Sequence, residues 1–90
     1  MDINIEELLY YLNREYDKLN KIFSDIRFFN RNIEDYVRSY YNDFLYFYDR
    51  KEYIKAFELE NYIWGIIDIL LNLKLIEVKE EYKKWFKLFI

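Results

Sequence analysis

The sequence predicts an all-α protein: one domain over residues 1–90, an antiparallel helical bundle of three main helices with an additional C-terminal helix or extension. Three observations predict this class. The 90 residues include one glycine and no proline, whereas a β-rich chain of this length needs several tight turns, which favour those residues. Apolar residues recur at helical spacing along most of the chain. The composition is 53% hydrophobic and 23% aromatic, so some rings are expected to face a partner.

The first helix is predicted over about residues 5–27. Asn4 is placed to accept from the backbone of Glu7, which would begin the helix with a capping box. A broad apolar stripe follows, built from two rows at seven-residue spacing: Ile5, Leu9, Leu12, Tyr16, Leu19, Phe23 and Ile26. Coiled coils and bundles both show such stripes, and we interpret this one as the core face of a bundle helix.

The second helix is predicted over about residues 33–48. The polar residues 30–32 indicate the preceding connection, and Asn32, with Asp35 three residues on, is the expected N-cap. The end of the first helix, between Ser24 and Arg31, is left open. Apolar residues cover most of the circumference of the second helix, which indicates packing on more than one side.

The third helix is predicted over about residues 51–73, with Asp49 and Glu52 as its start signal. A connection this short makes the second and third helices antiparallel neighbours. Counting outward from the turn brings Tyr36 level with the lone glycine, Gly65. Glycine within a helix costs about 1 kcal/mol relative to alanine, and we expect it here to make room for the Tyr36 ring.

The same register places polar side chains along the seam between these two helices. Tyr40 is level with Asn61, and Asp68 lies further along the same stripe of the third helix. Buried tyrosine hydroxyl groups need hydrogen-bond partners, so Asn61 and Asp68 are predicted to bind them.

The last predicted helix covers about residues 78–89. Its aromatic side carries Tyr82, Trp85, Phe86 and Phe89, and its lysines lie largely on the other side. A basic amphipathic helix of this kind can lie on a membrane surface or in a partner's groove, which makes these four residues a candidate interaction surface. We favour the alternative, a segment folded onto the core of the bundle.

The residue types present exclude several chemistries. Histidine and cysteine are absent, which removes the commonest general base, thiol nucleophiles and most transition-metal sites. The sequence therefore predicts no catalytic residue, metal site or cofactor. Carboxylates remain: Asp43, Glu58 and Asp68 could line the seam of the second and third helices and bind Mg²⁺. Hydrogen bonding to tyrosines is the favoured role for them.

Charge and hydropathy bear on partners and location. The net charge of −3 and the pI of about 5.0 disfavour nucleic acid as the main partner. The start of the chain lacks the features of a signal peptide, and no stretch has the roughly 20 apolar residues of a membrane span. We therefore expect a cytoplasmic protein.

The segment 39–76 resembles a family of small archaeal helical proteins, the domain of unknown function 357 family. Its members share a pattern close to S-Y-Y-x-D-A-x-x-F, a short turn, and then A-F-x-A-x-N-Y-A-x-G-x-x-D-A-G. The chain matches it at Ser39, Tyr40, Tyr41, Asp43, Phe47, Ala56, Phe57, Asn61, Tyr62, Gly65 and Asp68. The resemblance implies a helical bundle without an established activity, and structural roles for Tyr40, Asp43, Asn61, Tyr62, Gly65 and Asp68.

The chain departs from that pattern at several small residues. Phe44 and Ile63 stand where the family tends to have alanine, and Lys74 replaces a glycine that would end the third helix. If small residues frame a ligand pocket in the family, the bulky residues here would fill it. The preferred hypothesis is a non-enzymatic protein-interaction module, a homo-oligomer or one half of a complex. The alternatives are a Mg²⁺-dependent phosphohydrolase using the seam carboxylates, and nucleic-acid binding through lysines and tyrosines of the tail.

Overall fold

The structure, a computed structural model, describes residues 4–89 and confirms the all-α class. Within this range the elements are α1 (Ile5–Asp25), β1 (Arg27–Phe28), α2 (Arg31–Asp49), α3 (Tyr53–Asn72), β2 (Ile76–Glu77) and a 3₁₀ helix (Glu80–Trp85). The three α-helices lie alternately up and down in a bundle with extents of 40 × 24 × 22 Å. Among residues 4–89, no helix has the length and hydropathy of a membrane span.

Asparagine side chains begin the first two helices. The Oδ1 atom of Asn4 accepts from the N–H of Glu7 at 3.1 Å, which confirms the predicted cap of α1. Helix α2 starts two residues earlier than predicted, because Asn30 is its N-cap and accepts from the N–H of Ile33 at 3.0 Å. The prediction that Asn32 caps this helix is therefore wrong.

The start of α3 differs from the prediction that Asp49 and Glu52 begin this helix. Asp49 is the last residue of α2, and α3 begins at Tyr53. Glu52 is the N-cap, but its side chain makes no capping hydrogen bond. The antiparallel arrangement of these helices is nevertheless the one that the short connection predicts.

A lysine with a left-handed backbone lies two residues after the last residue of α2 and of α3. Lys51 has a φ of 62° and Lys74 a φ of 61°. At the end of α3, the N–H of Lys74 donates to the carbonyl of Leu71 at 3.0 Å, and the N–H of Leu75 to that of Leu70 at 2.9 Å. This is the Schellman pattern, which normally uses glycine at the left-handed position. Helix α3 therefore ends with Lys74 at the left-handed position, where the family pattern has glycine.

The core lies between all three helices and extends under the tail. It comprises Leu8, Leu12, Leu19, Ile22, Phe23, Ile26, Val37, Phe44, Ala56, Ile63, Ile67, Leu71, Ile76 and Val78. On α3, the buried row of Ala56, Ile63 and Ile67 faces inward at helical spacing. The α1 stripe is confirmed in its middle and C-terminal part, whereas Ile5 is exposed and Leu8 is buried in its place.

Aromatic rings and asparagines join α1 to α2. Tyr16 stacks on Tyr48 with ring centroids 4.2 Å apart, and the Tyr48 hydroxyl donates to Asn13. Seven residues further along α1 the unit repeats: Phe23 stacks at 4.1 Å on Tyr41, whose hydroxyl donates to Asn20. Tyr41 and Tyr48 thus find their partners on α1, whereas the Tyr36 hydroxyl lies beside that of Tyr62 on α3. The prediction that Asn61 and Asp68 bind tyrosine hydroxyl groups of the seam is wrong, because Asn61 donates to the carbonyl of Phe57 and Asp68 accepts from the N–H of Lys87.

A short antiparallel sheet ties the start of the tail to the α1–α2 connection. Arg27 pairs with Glu77 and Phe28 with Ile76. Two-residue strands carry no periodicity, so the sequence did not predict them. The sheet sends residues 78–89 back across α1 and α3.

The tail is not the predicted helix over residues 78–89. After the 3₁₀ helix it is extended, and side chains at the end of α3 hold it. The Nδ2 atom of Asn72 donates to the carbonyl of Lys87 at 2.8 Å, and its Oδ1 atom accepts from the N–H of Phe89 at 2.7 Å. Asp68 accepts from the N–H of Lys87 at 3.1 Å. These backbone hydrogen bonds to α3 replace the intrahelical ones that a helix would make.

Candidate binding groove

A groove of about 560 Å³ lies between α1 and α3, and the tail closes one side of it. Helix α1 contributes Tyr11, Arg14, Glu15 and Lys18. Helix α3 contributes Phe57, Glu60, Asn61, Trp64, Gly65 and Asp68, and the tail contributes Trp85 and Phe86. A groove of this volume, with aromatic walls and a few charged groups, is typical of small-molecule sites.

Glu60 is the most unusual residue of the groove. It belongs to the buried row of α3, one turn beyond Ala56, and only 3% of it is exposed. Within residues 4–89 its carboxyl group makes no side-chain hydrogen bond or ion pair. Burial, and then the negative charge of Glu15, raise the pKa of Glu60 to about 7, and Arg14 opposes this only in part.

The nearest guanidinium group is already committed. Arg14 bonds Glu15 through Nη2 at 2.7 Å and stacks over the ring of Tyr11, with 4.9 Å from Cζ to the centroid. The Glu15 side chain is itself largely buried. The guanidinium group is therefore bound to Glu15, and Glu60 has no directly bonded cation among residues 4–89.

The aromatic wall holds a second unpaired polar atom. The Nε1 atom of Trp64 is buried and has no hydrogen-bond partner among the residues described. The Trp64 ring meets Trp85 edge-on at 6.5 Å and Phe86 at 5.5 Å. The Nζ atom of Lys18 lies over the Trp85 ring, 5.2 Å from its centroid. The indole N–H is therefore a hydrogen-bond donor without a partner among residues 4–89.

Gly65 lies at the groove and not beneath Tyr36. A Cβ atom added to Gly65 would meet no atom within 4 Å, so no ring lies over it, and the prediction of a Tyr36–Gly65 contact is wrong. The Tyr36 hydroxyl lies instead 3.3 Å from the Tyr62 hydroxyl, and the Tyr40 ring lies 4.9 Å from the Tyr62 ring. The predicted register was close, but the face of α3 was misassigned by about one residue.

The structure separates the carboxylates of the proposed Mg²⁺ site. Asp43 and Glu58 are exposed, on α2 and α3 respectively, whereas Asp68 lies in the groove and holds the tail. No three acidic side chains among residues 4–89 are grouped as metal ligands would be. The prediction that Asp43, Glu58 and Asp68 form one site at the α2–α3 seam is wrong. Asn61 lines the α1–α3 groove and donates to the carbonyl of Phe57 at 3.0 Å, so it is not a seam residue either.

The candidate interaction surface of the tail is mostly covered. Tyr82, Trp85 and Phe86 pack against the core, as the favoured interpretation expected, and only Phe89 is largely exposed, at 72%. Two tail lysines form ion pairs: Lys79 with Asp25 at 3.0 Å and Lys83 with Glu80 at 2.9 Å.

Sequence reasoning missed the groove, although one signal for it was present. Glu60 interrupts the apolar spacing of Ala56, Ile63 and Ile67, and a charged residue on a buried row indicates a special environment. The signal was hidden because apolar residues surround most of α3, so their spacing did not select the inward face.

Comparison of the chain with protein-family models, with curated proteins and with solved structures finds no match. The resemblance of residues 39–76 to the domain of unknown function 357 family stays a prediction.

Proposed function

We propose that this protein is a non-enzymatic binding module and that the α1–α3 groove is its ligand site. The observation that carries the proposal is Glu60, a residue that is only 3% exposed, lines an open groove and makes no side-chain hydrogen bond or ion pair among residues 4–89. Leaving a buried charge unpaired costs several kcal/mol, so a fold that keeps one beside an opening gains from filling it. Strongly perturbed titratable groups in clefts are typical of functional sites.

The groove floor supports the same proposal. Gly65 leaves open space where any other residue would place a side chain, and it keeps this space despite the cost of glycine within a helix. A ligand in the groove would approach the α3 backbone there, beside the unpaired indole N–H of Trp64.

A fragment screen by NMR tests the proposal. Cationic, neutral and anionic compounds would be added at millimolar concentration to ¹⁵N-labelled protein. We expect hits that shift the Gly65 amide and the Trp64 indole signals. Gly65→Leu should abolish them by filling the open space, whereas the matched variant Gly65→Ala should retain them. If none of the cationic, neutral or anionic compounds shifts the groove signals, the proposal is wrong.

Self-association is a second candidate function, and a separate surface favours it. Four apolar or aromatic residues follow one another at spacings of three and four on α3 and its C-cap, and three of them are exposed: Tyr62, Ile66, Ile69 and Leu73. Across the seam, Tyr36 and Ile33 continue this apolar surface onto α2. Isolated exposed apolar residues are ordinary, but a continuous stripe on two helices is typical of an interface.

Sedimentation velocity tests this second candidate. We expect a concentration-dependent dimer, and Ile69→Glu should return it to monomer, because a charge in an apolar interface is costly to bury. Lys55→Glu, on an exposed part of the same helix, is the matched control. A monomer at several hundred micromolar would contradict self-association and leave the groove proposal unaffected.

A further inference from the structure

We infer that the ligand of the α1–α3 groove is an organic ammonium ion with an aromatic or apolar body and a hydrogen-bond acceptor near its nitrogen. This inference rests on the proposed function and names the class of compound that the groove would take. Three features of the groove carry it: its charge, its aromatic walls and its unpaired indole N–H.

Charge is the first feature. Two cations, Arg14 and Lys18, face three carboxyl groups, those of Glu15, Glu60 and Asp68. The tail residues of the groove, Trp85 and Phe86, carry no charge. With Glu60 ionised, the groove therefore lacks one positive charge. A monovalent cation supplies it, whereas an anion would enlarge the imbalance.

The aromatic walls are the second feature. They already hold cations at their faces: the Lys18 ammonium over Trp85 at 5.2 Å and the Arg14 guanidinium over Tyr11 at 4.9 Å. Cations are attracted to aromatic faces at such distances. Phe57 adds apolar surface, which suits a ligand with an aromatic or aliphatic body and not a bare inorganic ion.

The indole N–H of Trp64 is the third feature. Glu60 and Trp64 lie one helical turn apart on α3 and both border the groove. An ammonium N–H donating to Glu60 leaves the Trp64 donor unpaired, so the ligand needs an acceptor oxygen or nitrogen close to its ammonium group. Satisfying both buried groups is worth more than either contact alone, because each is costly when unpaired.

Matched probes test the ammonium. Phenethylamine, 2-phenylethanol and 3-phenylpropionate share a phenyl body and differ in charge. Titrated into the full chain at pH 8, the amine should bind at least about tenfold more tightly than the other two, equivalent to about 1.4 kcal/mol. 2-Amino-1-phenylethanol, which adds a hydroxyl group beside the ammonium, should bind more tightly still and shift the Trp64 indole N–H signal.

Variants assign the effect to Glu60. Glu60→Gln should weaken binding of the amine by about tenfold or more and leave that of phenylethanol unchanged. Glu58→Gln, an exposed carboxyl group on the same helix, is the matched control and should bind like the wild type. Thermal melting of each variant shows whether it is folded.

The pH dependence gives an independent readout. Glu60 must lose its proton to pair with an ammonium ion, and burial has raised its pKa to about 7. Affinity for the amine should therefore fall as the pH decreases from 8 to 6, approaching about tenfold per pH unit below 7. Glu60→Gln should show no such dependence.

The outcomes separate this inference from the proposed function. If phenylethanol or phenylpropionate binds in the groove as tightly as the amine, the ammonium class is wrong while the groove remains a ligand site. If none of the four probes shifts the groove signals, the inference is overturned, and the wider fragment screen decides the proposed function by itself. Amine binding that survives Glu60→Gln also overturns it.

Discussion

At the scale of single residues, Glu60 links the stability of the fold to pH. Its pKa rises from 4.5 to about 7 on folding, chiefly because the carboxyl group is buried. Between these values the folded protein holds a proton that the unfolded chain releases. The stabilisation is therefore complete below pH 4.5, decreases as the pH rises through 7, and is absent above it. The full difference is about 3 kcal/mol.

Glu60→Gln should remove this dependence. We expect the variant to be more stable than the wild type at pH 8, by about 1–3 kcal/mol, because no charge is buried. Urea unfolding at pH 5, 6, 7 and 8 measures it. The matched variant Glu58→Gln should follow the wild type within about 0.5 kcal/mol. A Glu60→Gln protein that is less stable than the wild type at pH 8 would contradict this account.

Single residues were also the level at which the sequence predicted least. The sequence predicts that tyrosine hydroxyl groups need partners, but it does not predict Asn13 and Asn20 of α1 as the partners of Tyr48 and Tyr41. An asparagine outside an apolar stripe gives no sign of whether it meets water or a ring from a neighbouring helix. A long tyrosine side chain can reach an asparagine on the neighbouring helix, and the periodicity of either helix alone does not predict that contact.

At the scale of elements, the ends of α2 and α3 contain a local conflict between sequence and backbone. Lys51 and Lys74 adopt the left-handed conformation, which costs a residue with a Cβ atom about 1 kcal/mol or more. Lys51→Gly and Lys74→Gly should each stabilise the protein by about 0.5–1 kcal/mol, after the greater freedom of glycine in the unfolded chain is included.

Thermal and urea unfolding of both variants measure this gain. Lys51→Ala and Lys74→Ala are the controls, because they remove the lysine side chain and keep the Cβ atom. Alanine variants as stable as the glycine variants would show that the lysine side chains, and not the backbone conformation, determine the effect.

Asn72 attaches the tail to the rest of the protein. Its buried side chain pairs with the backbone of Lys87 and Phe89, as a neighbouring strand would. Asn72→Ala should cost about 2–3 kcal/mol and release the tail from α3, because three backbone hydrogen-bonding contacts lose their partner. Faster amide exchange at Lys87 and Phe89, and a red shift of Trp85 fluorescence, would show it.

Asn42→Ala, an exposed position on α2, is the control for that substitution. Unchanged exchange at Lys87 and Phe89 in Asn72→Ala would mean that the aromatic contacts of Trp85 and Phe86 hold the tail without the amide.

Elements were predicted best where the pattern is long and strongly periodic. The bounds of the three α-helices agree with the predicted ones to within two residues, since each combines a recurrent apolar face with a polar connection. The tail was predicted as a helix because its aromatic residues recur at helical spacing. Instead, Ile76 pairs with Phe28 and Lys87 with Asn72, and these long-range contacts determine the conformation of the tail. Because the paired residues are far apart in the sequence, the pattern of neighbouring residues does not reveal them.

At the scale of the whole molecule, α1 completes a core that the α2–α3 hairpin cannot close. Leu12, Leu19 and Ile22 are fully buried and belong to the same cluster as Phe44 and Ile63 of the hairpin. Rings from α1 also cover Tyr41 and Tyr48. The hairpin contains most of the residues that match the family pattern, but its inner face is completed only by packing against α1.

A fragment with residues 30–75 should therefore not fold as a cooperative unit. Without α1, Phe44 and Ile63 would be exposed to water, and the large side chains of α1 would no longer be buried against them. Burial of each such side chain is worth about 1.5–3 kcal/mol, and the sum exceeds the free energy of unfolding of a domain this small. Circular dichroism should show reduced helicity and a broad, non-sigmoidal thermal transition, and addition of a peptide with residues 1–29 should restore part of the signal. A sharp two-state transition of the fragment alone would contradict this, and would mean that the hairpin holds the fold and α1 serves chiefly to form the groove.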